Sequence, residues 1–313
     1  MKLIEKAEPA IIISAIIIGL MLANINIIAH NSGYLINIFL CLMLYAVFLE
    51  IPLKDLKNSF KNHKYTLTTL IINFIWTPLL GYLLANLFLG SNLDLIIGFF
   101  MLILTPCTDW YLIFTKMAKG DVGINLSILP INLILQIILL PVYLIIFFTQ
   151  TNSIDYTQIL YSLIIVIIIP FVMSGLTKVI LNADLKNRIT GVFSNFQTVF
   201  LSLAIVSIFA SQGGLLFRHF TSLIIVFIPL IIFFTVNMAL AYLVSRRLNF
   251  TYGEYAGLTM TTLARNSPLA LAIAINSFPN NVLISMVLVI GPLIELPILY
   301  IVSKICLKLD YTD

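Results

Sequence analysis

Apolar residues occur along this chain in ten long runs, separated by short segments that hold most of the polar residues. Each run is close to the roughly 20 apolar residues that a helix needs to cross a bilayer. Lipid offers no partners for backbone N–H and C=O groups, so such runs are expected to be helices. The pattern predicts an all-α membrane protein of ten transmembrane helices in a single domain, residues 1–313, with spans at 9–28, 34–52, 65–89, 94–117, 123–148, 156–179, 192–210, 221–243, 252–278 and 281–306.

The fourth and ninth predicted spans are interrupted near their middles by proline and polar residues. Residues 105–109 read Thr-Pro-Cys-Thr-Asp, and residues 264–268 read Ala-Arg-Asn-Ser-Pro. Proline removes a helical hydrogen bond and clashes with the preceding turn. A packed kink is the structural alternative, because irregular backbone at membrane depth is tolerated when it is buried in protein or lines a cavity. Since both breaks carry a charged residue, we expect two broken helices that cross and hold an ion or a small polar solute.

The ten spans divide into two halves of five, at residues 9–148 and 156–306. Because five is odd, the second half begins on the opposite side of the membrane, which is the plan of inverted five-helix repeats in transporters. An offset of 159 residues aligns Thr108 with Ser267 and Gln136 with Glu295 without gaps. The alignment supports an inverted repeat, although an Ile/Leu-rich chain produces chance matches easily.

Charge and composition limit the protein to a membrane class and suggest an orientation. Charged residues make up 10% of the chain, against about 25% in soluble domains, so the composition excludes a soluble protein. With a cytoplasmic N-terminus, all basic residues except Arg218 and Arg265 fall in cytoplasmic segments, which predicts that both termini are cytoplasmic. The dispersed basic residues give no nucleic-acid patch. High Lys, Ile and Asn usage suggests an AT-rich bacterial genome and hence the bacterial inner membrane, the plasma membrane.

Cysteine and histidine usage indicates neither a cofactor nor a metal centre. Three cysteines in or beside apolar runs do not match a disulfide framework. The histidines lie between the runs, so an embedded imidazole base or a His metal cluster is not expected. The chain also lacks a Ser/Lys or paired-Asp arrangement in facing spans, which argues against an intramembrane enzyme. We therefore expect no enzymatic activity, no cofactor and no metal.

The sharpest candidate site residues are the two charges inside the breaks, Asp109 and Arg265. A charge at the bilayer centre costs about 2.5–3.5 kcal/mol on insertion scales, so it persists where it is paired, hydrated or used. We predict that Asp109 and Arg265 face each other and open to admit substrate, with Arg265 attracting an anion; a static salt bridge is the alternative. The neighbouring Thr108, Asn266 and Ser267 are expected to satisfy the backbone groups that the breaks release.

Four further residues are candidates for substrate or ion binding. Glu295 is the acidic group in the middle of the tenth span, where a carboxylate can serve a proton relay or a cation site, or can simply pack by hydrogen bonding. Gln136, its positional counterpart, is a candidate interhelical hydrogen-bonding partner, and Asn73 is a weaker candidate on the same grounds. Cys107 adjoins Pro106 in the first break, where a thiol can be a soft ligand or merely a small buried side chain.

The motifs around the two breaks resemble those of arsenite efflux permeases, which belong to the bile acid:sodium symporter superfamily. In the fourth and fifth spans the resemblance lies in Pro-Cys-Thr at 106–108, Lys-Gly-Asp at 119–121 and Asn-Leu-Ile-Leu-Gln at 132–136. In the ninth and tenth spans it lies in Asn-Ser-Pro-Leu-Ala-Leu-Ala at 266–272 and Gly-Pro-Leu-Ile-Glu-Leu-Pro at 291–297. The resemblance implies ten spans, a core of spans three to five and eight to ten, and crossing of the broken fourth and ninth helices.

The same resemblance implies a functional role for Cys107, and the departures from it concern charge. Those permeases have a glutamate where this chain has Pro268, and an uncharged residue where it has Asp109. The sodium-coupled bile acid branch has a glutamate four residues before a Gln-Asn pair, and here Thr261 and Arg265 occupy those positions. The chain therefore looks like a divergent arsenite-permease relative in which that sodium-binding pattern is broken.

Two transport functions follow from these residues. The first is an ion-coupled carrier that exports arsenite or a related small oxyanion, with a proton exchanged through Asp109 or Glu295. The second is a symporter of small organic anions, coupled to sodium or protons, in which Arg265 meets a carboxylate. Block at the Cys107 thiol would favour the first, and sodium-dependent uptake of an acid would favour the second. In both, the expected partners are the lipid bilayer and a small-molecule or inorganic anion.

Overall fold

The computed structural model describes residues 3–50, 62–90, 92–108, 110–148, 168–279 and 281–309, and within these ranges the regular structure is helical. A π-helical segment, Ile72–Trp76, joins the helix His63–Ile71 to the helix Thr77–Phe88. The helical structure confirms, for the described residues, the prediction of an all-α protein. The helices are α1 (Leu3–Leu22), α2 (Asn26–Glu50), α3 (His63–Ile71), α4 (Thr77–Phe88), α5 (Leu93–Leu104), α6 (Trp110–Met117), α7 (Val122–Phe148), α8 (Ile169–Ile180), α9 (Ala183–Ile225), α10 (Phe227–Arg247), α11 (Tyr252–Leu263), α12 (Ser267–Ser277) and α13 (Val282–Lys308).

The helices suit a protein that crosses the membrane several times. Segments long and apolar enough to cross a bilayer are His63–Phe88, Val122–Phe148, Asp184–Ser211, Leu223–Arg247 and Val282–Lys308. Shorter apolar helical segments are Ala10–Leu22, Leu35–Leu49, Leu93–Leu104, Ile169–Ile180 and Ser267–Ser277. The chain is a multi-pass membrane protein. Ten crossings and an inverted repeat stay predictions, because the shorter segments fall below the length of a complete crossing.

Two predicted loops are helical in the structure. The chain bends at residues 23–25, between α1 and α2, and the segment at 29–33 that was expected to be a loop lies inside α2. Helix α9 likewise continues through residues 211–220 to Ile225. Neither segment contains proline. Polar side chains and glycine alone leave the backbone hydrogen bonds intact, so the helix continues through both segments.

The predicted interruptions of the fourth and ninth spans are present. Helix α5 ends at Leu104 and α11 ends at Leu263, and the residues that follow, Thr105 and Ala264, both have extended backbone angles. Helical structure resumes in α12 at Ser267, with proline as its second residue. Proline is well tolerated in a first helical turn because the N–H it lacks has no intrahelical partner there. Each predicted span therefore contains two short helices, and the first of them is followed by a residue with extended backbone angles.

A third irregularity, which the sequence analysis did not predict, is the π-helical segment in the third span. Pro78 has no N–H, so the carbonyl of Phe74 loses its usual donor four residues along the chain. The hydroxyl of Tyr143, on α7, donates to that carbonyl instead. The N–H of Thr77 reaches back five residues to the carbonyl of Ile72, which is the π pattern. The proline and one tertiary hydrogen bond thus account for the change of helix type.

The chain divides into two compact units. The first comprises Met1–Ile51, Ser153–Thr221 and Pro268–Val289, and the second comprises Pro52–Asn152, Ser222–Ser267 and Ile290–Asp313. All the candidate site residues, from Asn73 to Glu295, belong to the second unit. The candidate site therefore lies within the second unit.

A close contact between two helices and a side-chain hydrogen bond stabilise the first unit. A methyl group on Gly19 of α1 would lie 2.6 Å from Cβ of Phe209 and 2.8 Å from the carbonyl oxygen of Val206, both on α9. Only glycine fits without a shift at this approach. Between α2 and α8, the hydroxyls of Tyr45 and Thr177 lie 2.8 Å apart.

A buried amide network fixes part of the second unit. Asn125, on α7, accepts a hydrogen bond from the Tyr65 hydroxyl at 2.6 Å. Its Nδ2 donates to Thr115 Oγ1 at 2.8 Å and to the carbonyl of Gly257 at 3.0 Å. The Tyr111 hydroxyl donates to the backbone carbonyl of Asn125 at 2.7 Å. One side chain therefore ties α3, α6, α7 and α11 together, and α6 and α11 are each one half of a broken span.

Candidate functional site

The two breaks lie side by side in the second unit and pair through their backbones. Pro106 and Arg265 form an isolated antiparallel bridge. The N–H of Cys107 donates to the carbonyl of Ala264 at 3.0 Å, and the N–H of Asn266 donates to the carbonyl of Thr105 at 2.6 Å. Backbone groups that the helices release are therefore satisfied by the opposite break, as buried backbone in a membrane protein requires.

The hydrogen-bond pattern of this bridge explains why it can contain a proline. The hydrogen bonds flank the Pro106–Arg265 pair, so the bridge makes no use of an N–H at either of these two residues. Pro106 has no N–H to leave unpaired. The N–H of Arg265 points away from the opposite break and donates to Oε1 of Glu295 at 2.7 Å. The carboxylate on α13 therefore completes the bridge from its outer side.

The side chain of Arg265 is 2% exposed and folds back onto the ends of two helices. Its Nε donates to the carbonyl of Leu263 at 3.3 Å, and Nη1 donates to the carbonyl of Ile103 at 3.0 Å. Its Nη2 donates to the carbonyl of Thr262 and, at 3.4 Å, to Oδ1 of Asn73. The guanidinium carbon also lies 5.1 Å from the ring centroid of Phe233, within the range of a cation–π contact.

These acceptors are what the C-terminus of a helix provides. The last four carbonyls of a helix have no intrahelical donor, and together with the helix dipole they carry roughly half a negative charge. Ile103 lies in the last turn of α5, and Thr262 and Leu263 lie in the last turn of α11. A buried cation at this point is stabilised by two helix ends at once.

Hydroxyl and amide groups surround the bridge. The Thr105 hydroxyl donates to the carbonyl of Asn266 at 3.1 Å, and Nδ2 of Asn266 donates to Oγ1 of Thr108 at 3.3 Å. Cys107, Thr108, Asn266 and Ser267 are all buried. The structure thus brings these four predicted residues to the pairing of the two breaks, together with Arg265 and Glu295.

Some buried polar atoms of the second unit have no hydrogen-bond partner among the described residues. They include both amide atoms of Gln136, Nδ2 of Asn73 and Oδ1 of Asn132. Nδ2 of Asn132 lies 3.5 Å from Oγ1 of Thr261, at the limit of a hydrogen bond. Buried polar groups are normally paired, and unpaired ones mark places that water, an ion or a solute can occupy.

The contacts expected of the charged and amide candidates are tested only in part by the structure. Asp109 lies outside the described residues, so its pairing with Arg265 stays a prediction. Within the described part of the chain, Arg265 forms no ion pair through its side chain. Gln136, the candidate interhelical partner, makes no side-chain hydrogen bond within the same part of the chain, and Oε1 of Glu295 accepts the Arg265 N–H.

Several contributors to this region were missed by the sequence analysis. The carbonyls of Ile103, Thr262 and Leu263 have no side-chain signature, and nothing in the sequence marks Phe233. The position of Arg265 did offer a signal, since a long basic side chain just after a helix end can return to the last carbonyls. Within the described residues, no cluster of three or more His, Cys, Asp or Glu side chains could hold a metal ion.

Comparison with known proteins identifies the family. The model of the sodium bile acid symporter family matches residues 37–219, a range that includes Cys107 and Gln136 but ends before Arg265 and Glu295. Similar proteins include the arsenical-resistance protein Acr3 of Corynebacterium glutamicum, 25% identical over 95% of this chain and 86% of its own length. Acr3 of Alkaliphilus metalliredigens is 26% identical over 86% of this chain and 80% of its own.

A further relative, an uncharacterized transporter of Synechocystis, is 22% identical over 89% of this chain and 79% of its own length. The family match covers more than half of the chain, and the relatives extend the similarity through the second broken helix. The chain belongs to the sodium bile acid symporter family, and it is a membrane transporter rather than an enzyme.

Proposed function

We propose that this chain is an ion-coupled secondary transporter of the bacterial plasma membrane that exports arsenite or a related small oxyanion. The observation that carries the proposal is the buried pairing of two broken helices, which holds the Cys107 thiol beside hydroxyl and amide groups. Two relatives are named arsenical-resistance proteins, which supports arsenite as the substrate class.

The chemistry of the paired breaks suits a small thiophilic solute. A cysteine sulfur is a soft ligand, and trivalent arsenic is a soft centre that prefers sulfur. The hydroxyl of Thr108 and the amide of Asn266 lie next to Cys107 in the chain or across the bridge, and can hydrogen-bond the oxygens of the solute. Nδ2 of Asn73, whose Oδ1 accepts from Arg265, offers a further donor beside the bridge. We infer that the Cys107 sulfur forms an As–S bond reversibly: one hydroxyl of arsenous acid leaves as water with the thiol proton, and the reverse step restores both, while these groups orient the remaining oxygens.

We propose proton coupling through Glu295 or Asp109. Glu295 is buried and joined to the bridge through the N–H of Arg265, so a change in its protonation acts on the paired breaks directly. Buried carboxylates at membrane depth commonly serve as proton relays. Entry of a proton and exit of arsenite on opposite phases of one cycle would give antiport.

The alternative is a symporter of small organic anions in which Arg265 meets a carboxylate. For this function the guanidinium would have to leave the carbonyls of Ile103, Thr262 and Leu263, or bind with its one remaining N–H. The cost of releasing those buried acceptors favours the arsenite function. Sodium-dependent uptake of an organic acid by the wild-type protein would instead support the alternative.

We also propose the ten-span topology with inverted repeats at 9–148 and 156–306 and with both termini in the cytoplasm. The distribution of Lys and Arg supports it. Reporter fusions test it: green fluorescent protein on the C-terminus should fluoresce, and alkaline phosphatase at the same point should be inactive. An active phosphatase fusion at the C-terminus would contradict the orientation.

Growth on arsenite tests the substrate. A bacterial host without its own arsenite exporter should regain resistance when it expresses the wild-type chain, and should lose it with Cys107→Ser. Cys41→Ser is the matched control, because Cys41 belongs to the first unit and lies far along the chain from the breaks. Its expression level and its resistance should equal those of the wild type.

The growth assay distinguishes the substrate from the role of the thiol. If the host is equally sensitive to arsenite with and without the wild-type protein, arsenite is not the substrate. If Cys107→Ser and Cys41→Ser both retain full resistance at equal expression, the Cys107 thiol is not a ligand of the transported arsenite. Direct uptake of radiolabelled arsenite into everted vesicles should follow the same order as growth.

A further inference from the structure

Four oxygen atoms surround the buried guanidinium of Arg265 in the second unit. They are the backbone carbonyl oxygens of Ile103, Thr262 and Leu263 and the side-chain Oδ1 of Asn73, here called the carbonyl cluster. Three of them belong to the last turns of α5 and α11, where helix ends concentrate partial negative charge. Oxygen ligands at the C-terminal ends of broken helices are the kind of environment that binds Na⁺ in transporters.

In this protein the centre of the carbonyl cluster is filled by a covalently attached cation. The Arg265 guanidinium donates to each of the four oxygens and is 2% exposed. The face of the Phe233 ring lies 5.1 Å from the guanidinium carbon and adds a further attraction for positive charge. No dissolved cation can share this position, because the guanidinium fills the space between the oxygens and repels a second positive charge.

We propose that Arg265 is a built-in cation that occupies an oxygen-lined cation site, so that this site stabilises the paired breaks without Na⁺. Arg265 is then a positioning residue, which holds the ends of α5 and α11 together, and it does not bind the substrate. Removing its charge should expose a latent site that a small monovalent cation can fill. This inference concerns cation binding alone and does not rest on the identity of the transported solute.

Arginine suits the carbonyl cluster better than lysine does. A guanidinium has five N–H donors fixed in a plane, and Arg265 uses four of them on acceptors from three segments of the chain. A lysine ammonium has three donors on a flexible stem and is more strongly hydrated. Lysine should therefore keep the charge but leave part of the carbonyl cluster without donors.

The test measures thermal unfolding of the full-length protein, purified in detergent, in NaCl, KCl and choline chloride at equal ionic strength. The variants are Arg265→Gln, which removes the charge, and Arg265→Lys, which retains it. Arg247→Ala is the control, because Arg247 lies exposed in the last turn of α10. The unfolding temperatures of the wild type and the control should be equal in Na⁺ and in choline.

Arg265→Gln should unfold several degrees below the wild type in choline. It should recover most of that loss as NaCl, or a low concentration of guanidinium chloride, is added, and the recovery should saturate. Arg265→Lys should fall between the two and show no response to Na⁺. If Arg265→Gln is too unstable to purify without Na⁺, its yield should rise when Na⁺ or guanidinium is present from the point of cell lysis.

Three results would overturn the proposal. One is a Na⁺-specific stabilisation of the wild type equal to that of Arg265→Gln, and another is full stability of Arg265→Gln in choline. The third is equal destabilisation of the Gln and Lys variants with no response to any cation. The arsenite growth assay is independent of these readouts, so the failure of one proposal is distinguishable from the failure of the other.

Discussion

The hydrogen bond from the N–H of Arg265 to Glu295 gives a stability prediction that separates the shape of the glutamate from its charge. Glu295→Gln keeps an acceptor oxygen at the same place on α13, whereas Glu295→Leu removes both oxygens at similar volume. The wild-type bond is 2.7 Å long and buried. The two variants therefore probe the same bridge with and without an acceptor.

The magnitudes follow from the type of hydrogen bond. A bond to a charged group contributes about 1.5–3 kcal/mol and a neutral one about 0.5–1.5 kcal/mol, so Glu295→Gln should lower the free energy of unfolding by about 1 kcal/mol. Glu295→Leu loses the bond entirely and leaves the Arg265 N–H unpaired. Its loss should be about 2–3 kcal/mol.

Equilibrium unfolding in mixed micelles, with increasing mole fraction of a denaturing detergent, measures these free energies. The expected order of stability is wild type, then Gln, then Leu. A Leu variant as stable as the wild type would show that the Arg265 N–H is not held by Glu295. Equal losses in both variants would mean that charge, not the acceptor, stabilises the bridge. Arsenite transport should fail in both variants if Glu295 carries the coupling proton.

Three other substitutions, one of them with a matched control, test helix packing and buried hydrogen bonds. Gly19→Ala places a methyl group 2.6 Å from Cβ of Phe209 and should cost about 1–3 kcal/mol in micelle unfolding. Gly175→Ala, with nothing within 4 Å of the added carbon, is its control and should be neutral or stabilising. Asn125→Ala removes three side-chain hydrogen bonds. Each such bond contributes about 0.6 kcal/mol on average in a membrane protein, so the free energy of unfolding should fall by about 2 kcal/mol. An unchanged free energy of unfolding would contradict the amide network. Tyr143→Phe leaves the Phe74 carbonyl without its donor and should speed amide exchange in the π segment, whereas unchanged exchange would contradict the role of Tyr143.

The sequence predicted the irregular backbone where proline causes it directly. Pro106 and Pro268 mark the breaks, because a missing N–H and a clash with the preceding turn act within a few residues. Ends of helices without proline were predicted less well. The polar segment at 29–33 lies inside α2, since polar side chains do not remove backbone hydrogen bonds.

Partners were predictable only where both groups have recognisable side chains. Asn266 and Thr108 could be assigned to one site because both lie beside the breaks. The acceptors of Arg265 are backbone carbonyls, which every residue has, so no sequence pattern distinguishes Ile103 or Thr262 from its neighbours. The π segment was unpredictable for a similar reason, because the donor to the Phe74 carbonyl is Tyr143, 69 residues away along the chain.

Arsenite accumulation in everted membrane vesicles tests the proposed transport most directly. Vesicles that contain the wild-type chain, energised so that their interior is acidic and suspended without Na⁺, should accumulate arsenite. Accumulation should collapse with a protonophore, stay unchanged when Na⁺ is added, and be absent with Cys107→Ser. Equal arsenite content in vesicles with and without the protein would contradict arsenite export, and accumulation that requires Na⁺ would contradict proton coupling.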